Sequence, residues 1–173
     1  MTVLDRVSAL LDARGIPHAL IGAAALAAAG VARSTFDVDL LVVDESVLRD
    51  ELWGGFRAAG VAVDVRRGDA DDPLGGVVRL DLPSDRPVDI IVGKHPWQAR
   101  ALERSQRPPV GPPVVVPRDL VLLKLYAGGS QDLWDVRELL RLPESGTLAG
   151  EVEADLATLP GLMRDRWDSV RRG

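Results

Sequence analysis

The sequence predicts an α/β (α+β) fold, a mixed β-sheet flanked by helices with a helical C-terminal part. Three observations carry this. Short apolar runs bounded by Gly, Pro and Asp alternate with segments of helical spacing up to about residue 116. Two of the apolar runs, Phe36 to Val43 and Pro87 to Val92, carry aspartates inside them. From Pro117 onward the periodicity is helical. The expected division is an α/β core over residues 1–116 and a helical region over 117–173 packed on it as one compact unit.

The elements follow in order. Val3, Val7, Leu10 and Leu11 recur at helical spacing and Gly15 stops that helix. His18 to Ile21 is a short strand, and Gly22 opens an alanine-rich helix from Ala23 to Ala29, closed by Gly30. Phe36 to Val43 is the next strand. Ser46 suits the N-cap of a helix reaching Ala59, with Gly60 ending it. Val61 to Val65 alternates as a strand, and the polar run Arg66 to Pro73 reads as a loop. Gly76 to Leu82 and Pro87 to Val92 are strands joined by Pro83-Ser84-Asp85-Arg86. Pro96 starts a helix to about Arg104, and four prolines make Arg107 to Pro113 an extended connection. Val114 to Val116 is a last short strand. Pro117 opens a helix ended by Gly128-Gly129. Ser130 caps a helix to Leu142, and a final helical region, Thr147 to Arg172, breaks at Pro160-Gly161.

Composition narrows the function. A formal charge of −5 argues against a protein held to nucleic acid by bulk charge, while leaving room for an RNA read by a local basic patch. With no cysteine, neither a disulfide framework nor a thiolate metal site can form. Two histidines argue against a histidine-rich metal site. No apolar run approaches the ~20 residues of a membrane span, and the N-terminus lacks a signal-peptide layout, so a cytoplasmic protein is expected.

Chemistry concentrates in Arg33-Ser34-Thr35-Phe36-Asp37-Val38-Asp39, which runs straight into Leu40-Leu41-Val42-Val43. Residues two apart on a strand point to one side, so Asp37 and Asp39 aim at one spot. At roughly 6–7 Å and an effective dielectric of about 20, their repulsion is on the order of 2–3 kcal/mol. A cation between them removes that cost. Asp89 is a third carboxylate in an apolar strand, costly to bury without a partner. If its strand lies beside Phe36–Val43, Asp37, Asp39 and Asp89 converge. Three carboxylates without histidine suit Mg²⁺ or Mn²⁺, and two such ions can clamp a phosphoryl transfer. The ordinary alternative is a set of turn and cap residues. Asp64 is a rival acid, but Arg66 and Arg67 make a surface salt bridge its expected fate.

Gly22-Ala23 at a strand–helix junction lets free N–H groups meet an anion such as a phosphate. Arg33, Ser34 and Thr35 are further candidates for phosphate contact, against the plainer reading of a solvated loop. Lys124 lies on an otherwise apolar helix, Leu120 to Ala127, so it either snorkels, pairs with Asp132 or Asp135, or meets a triphosphate. Trp53, Trp97, Trp134 and Trp167 are spaced for packing, and His18 and His95 read as strand-edge and loop residues.

These residues form a pattern. Gly22-Ala23, then Arg-x-Thr-x-Asp-x-Asp from Arg33 to Asp39, then Val88-Asp89-Ile90, resembles the polymerase-beta-type nucleotidyltransferase superfamily. The motif is most similar to its small bacterial branch, which includes AbiEii-like toxins of type IV toxin–antitoxin systems and minimal nucleotidyltransferases. Asp119 to Leu125 with Asp132-Leu133-Trp134-Asp135-Val136 is similar to the helical tail of that branch. The resemblance spans Ala19 to Leu140 and implies a nucleotidyltransferase-like sheet, an NTP substrate, two Mg²⁺ or Mn²⁺ ions and transfer of NMP to a hydroxyl with release of pyrophosphate. It implies Asp37 and Asp39 on both metals, and Asp89 on the catalytic metal beside the acceptor hydroxyl. Gly22, Ala23 and Lys124 would lie at the phosphates. The implied partners are a tRNA or a small hydroxylated acceptor, and a cognate antitoxin. A small-molecule (aminoglycoside-type) transferase and a catalytically silent nucleotide-binding module are the alternatives. The usual Gly-Ser turn is Gly-Ala here, so the hydroxyl that commonly meets a phosphate is missing.

Overall fold

The computed structural model describes residues 1–33 and 35–172. The chain divides into two compact units. One is Met1–Ala24 together with the chain up to Val115; the other is Ala25–Arg33 together with the chain from Val116. Ala25–Arg33 belongs to the C-terminal unit, its buried Leu26 and Val31 giving it an apolar face.

The first unit holds one five-stranded mixed sheet. Its strands are β1 (His18–Leu20), β2 (Val38–Val42), β3 (Ala62–Arg67), β4 (Gly76–Asp81) and β5 (Val88–Val92). They lie in the order β1-β2-β5-β4-β3. Only β2 and β5 run parallel; the other neighbours are antiparallel. On β5, Val88, Ile90 and Val92 are buried, while Asp89 and Ile91 turn the other way, as the two-residue period of a strand requires. The buried face joins Leu40, Val42, Val78 and Leu80 to Val3, Val7 and Leu11 of helix α1 (Val3–Ala13) and to Trp53 and Phe56. Thr2 caps α1 reciprocally with Asp5.

Three elements expected in the first unit need correction. The helix expected from Ser46 to Ala59 is two 3₁₀ turns, Glu45–Leu48 and Asp50–Trp53, followed by the short helix α3 (Gly54–Ala58). Asp44, not Ser46, is the cap, its carboxylate accepting from the Ser46 amide at 2.8 Å. Gly54-Gly55 lowers helix propensity there, and the buried Trp53 indole donates to the Val47 carbonyl at 2.8 Å. Strand β3 runs on to Arg67, because Arg66 and Arg67 pair with Val77 and Gly76. The last expected strand, at Val114, is only a pair of single bridges to Leu20 and Gln106; Pro112 and Pro113 just before it have no N–H for a ladder. Helix α2 spans Gly22–Ala28 and α4 spans Pro96–Glu103.

The second unit is helical: α5 (Pro117–Ala127), α6 (Ser130–Arg141), a 3₁₀ turn (Pro143–Thr147), α7 (Leu148–Leu156) and α8 (Gly161–Arg172). Helix α5 packs against α6, α7 and α8, which is why its sequence is apolar almost all round. Gly128 ends it in the left-handed conformation, φ 71°. Asp132, rather than Ser130, closes the start of α6 by accepting from the Gly129 amide. The break expected at Pro160-Gly161 separates α7 from α8. Among the described residues no helix is long and apolar enough to cross a membrane.

Candidate active site

The sheet register builds the candidate site. Asp39 on β2 stands opposite Asp89 on β5, Asp89 opposite Arg79 on β4, and Arg79 opposite Asp64 on β3. Opposed residues share a face, so four charged side chains form one row across four strands. It lies on the face turned away from the apolar core. Asp37 joins the row from just before β2, where Thr35 Oγ1 donates to the Asp37 carbonyl and Arg86 donates to the Thr35 carbonyl.

Arg79 is the centre of this arrangement. Its Nη1 donates to Asp89 Oδ2 at 2.7 Å and to Asp37 Oδ2 at 3.2 Å. The Asp89 side chain is 17% exposed and that of Asp37 34%. Burial pushes the Asp89 carboxyl above the usual carboxylate range; the Arg79 charge pulls it back, and the charge on Asp37 adds to the rise. The hydrogen bond to Asp37, then the charge of Asp89, raises the Arg79 guanidinium above its ordinary value. Sequence reasoning passed over Arg79. The signal was present: one cation inside the apolar run Gly76 to Leu82, as conspicuous as the one acid in Val88 to Val92.

Gly22 explains the placement of Asp39. It has φ +60°, and a Cβ there would overlap Asp39 Oδ2. The Ile21 amide donates to the Asp39 carbonyl at 3.0 Å, tying the two segments. An anion does lie at the start of α2, and it is this protein's own carboxylate. Ala23 is the next residue of α2 and is buried.

Asp64 pairs with Arg66 at 2.7 Å on the surface, as expected from the sequence. Arg33 and Lys124 meet in the second unit. Lys124 Nζ is 2.8 Å from both Asp132 Oδ1 and Asp135 Oδ2, and Arg33 pairs with the same fully buried Asp135. Contact of Lys124 with a triphosphate would require these pairs to open. Ser34 lies outside the described residues. His18 is buried, bonded to Ser8 and the Ile16 carbonyl, and Trp134 is half exposed where packing was expected.

The donor chemistry suits a hard divalent cation. Three carboxylates and no sulfur face one region, and a guanidinium already stands as the cation between two of them. Among the described residues the acids do not close into a three-ligand cluster, and Arg79 pairs with Asp37 and Asp89.

No family model matches the chain, and no curated protein matches it. Solved structures do. The crystal structure of ANT(2'')-Ia in complex with adenylyl-2''-tobramycin matches with a TM-score of 0.59 at 16% identity, over 95% of this chain and 97% of that one. The solution structure of the antibiotic-resistance factor ANT(2'')-Ia gives 0.56 at 16%, over 97% and 92%. An antigenic nucleotidyltransferase-like protein from Paracoccidioides brasiliensis gives 0.50 at 19%, over 95% and 90%. The fold is that of nucleotidyltransferases.

Proposed function

We propose that this protein is a metal-dependent nucleotidyltransferase that moves NMP from an NTP to a hydroxyl acceptor. The observation that carries the reading is the register of Asp39 with Asp89 on adjacent parallel strands, with Asp37 on the same face. Asp37, Asp39 and Asp89 would hold two Mg²⁺ or Mn²⁺ ions. Such ions would supply charge neutralisation for the triphosphate and Lewis-acid assistance to the transfer. Asp89 would accept the acceptor's proton as the acceptor oxygen bonds to the α-phosphorus and the bond to pyrophosphate breaks. Gly22 keeps the Asp39 carboxylate at the start of α2. Ala23 and Thr35 lie on the segments that flank the acids.

A small hydroxylated acceptor of the aminoglycoside type is the acceptor reading best supported. ANT(2'')-Ia, solved with an adenylylated tobramycin, is similar over nearly the whole of both chains. An acidic protein of net charge −5 also attracts a polycationic acceptor. A tRNA acceptor, with a toxin-like role and a cognate antitoxin, rests on the motif alone.

Transfer of label from each α-³²P NTP, with Mg²⁺ or Mn²⁺, to a panel of aminoglycosides and to total tRNA tests this. Label on an aminoglycoside is expected, lost in Asp37→Ala and Asp39→Ala with the circular dichroism spectrum unchanged. Label on tRNA would favour the toxin-like reading. Nucleotide binding without transfer to any acceptor would leave a silent binding module.

A further inference from the structure

Arg79 occupies the position at which a cation would serve Asp37 and Asp89, and it is held there by the fold. Its partner in the β4–β5 register is Asp89 itself, so the two side chains leave the sheet side by side. One nitrogen, Nη1, reaches both carboxylates, at 2.7 and 3.2 Å. The opposite neighbour of Arg79 in the same row is another acid, Asp64. Between them lies a cavity of about 180 Å³ lined by Asp64, Arg66, Val77, Arg79 and Asp89. Asp64 already pairs with Arg66 at 2.7 Å, so a guanidinium leaving Asp89 has room to move and a carboxylate that it would share with Arg66.

We propose that Arg79 is a built-in competitor for the divalent ion: it cross-links Asp37 and Asp89 in the metal-free protein and moves along its row toward Asp64 when metal binds. This rests on reading the acid row as the metal site of a nucleotidyltransferase. Two jobs follow from one side chain. Without metal, Arg79 offsets the repulsion between two carboxylates that the fold forces together. With metal, its displacement weakens apparent affinity by the cost of breaking the ion pairs.

Mn²⁺ binding, measured by electron paramagnetic resonance on the full chain without nucleotide, tests the idea apart from turnover. Arg79→Gln is expected to bind Mn²⁺ about fivefold more tightly than the wild type, the scale of a partly exposed ion pair. Arg57→Gln removes a charge that pairs with Asp50 and touches no residue of the row, and a change under about twofold is expected. Unchanged or weaker binding by Arg79→Gln would overturn the proposal. So would an equal gain in Arg57→Gln, which would mark a general field effect.

The wild type gives a second measurement that does not depend on any variant folding. The Arg79 side-chain ¹⁵N resonances should shift when diamagnetic Mg²⁺ is added, and resonances that stay in place would refute displacement. The two readings separate cleanly. Tighter Mn²⁺ binding in Arg79→Gln with no transfer to any acceptor sinks the enzyme and keeps the competitor. Transfer with unchanged Mn²⁺ binding does the reverse.

Discussion

Gly22 and Asp39 are in contact across the strand–helix junction, and only a residue without a Cβ fits there. A methyl group at Gly22 would overlap Asp39 Oδ2, and the backbone at +60° is strained for any other residue. Gly22→Ala should therefore cost about 1–3 kcal/mol of stability and push the Asp39 carboxylate out of its row. Urea unfolding gives the first effect and NTP transfer the second. Full transfer by Gly22→Ala would show that the placement of Asp39 is dispensable.

Asp89 makes a pH prediction with a definite sign. Its folded pKa lies above the unfolded value of 3.8. Just above that value the folded state holds more protons than the unfolded one. The stability of the metal-free protein then falls as pH rises through this window and levels off above the folded pKa. Measured by urea unfolding upward from about pH 3.5, the stability of the wild type relative to Asp89→Asn should fall as pH rises and then level off. A pH-independent difference between the two would contradict it.

Asp135 is fully buried between Lys124 and Arg33. Asp135→Ala leaves both cations without it. The expected cost is about 3 kcal/mol, at the low end for a broken buried pair because the Arg33 side chain is 30% exposed. Asp132, 25% exposed, should cost less when replaced by Ala. Equal costs would mean that burial does not set the difference.

Lys124 separates a structural role from a nucleotide-binding one. Held by Asp132 and Asp135, it is expected to behave structurally. Lys124→Gln should lower the urea midpoint and leave KM for the NTP within about twofold. A KM raised about tenfold at unchanged stability would assign the lysine to the triphosphate instead.

Much of this was legible in the chain because it is local. Apolar spacing marked α1, α5 and the strands. Glycine and proline marked their ends, and aspartates inside apolar runs marked the row. A lone acid or base in a buried strand signals a partner through desolvation alone. The residues between Asp44 and Ala59 misled because Trp53 and Gly54-Gly55 overrule helical spacing.

The sequence by itself determined that an acid-bearing mixed α/β sheet and a helical tail would form, and that Asp37, Asp39 and Asp89 were the residues to watch. Only the tertiary structure decided that Arg79 stands between two of them and that Asp39 lies against Gly22. It also decided that Lys124 is tied to Asp132 and Asp135. The reason is that strand order and register are non-local: β5 reaches β2 across about fifty residues of chain, and no periodicity in either strand records which side chain will stand opposite which.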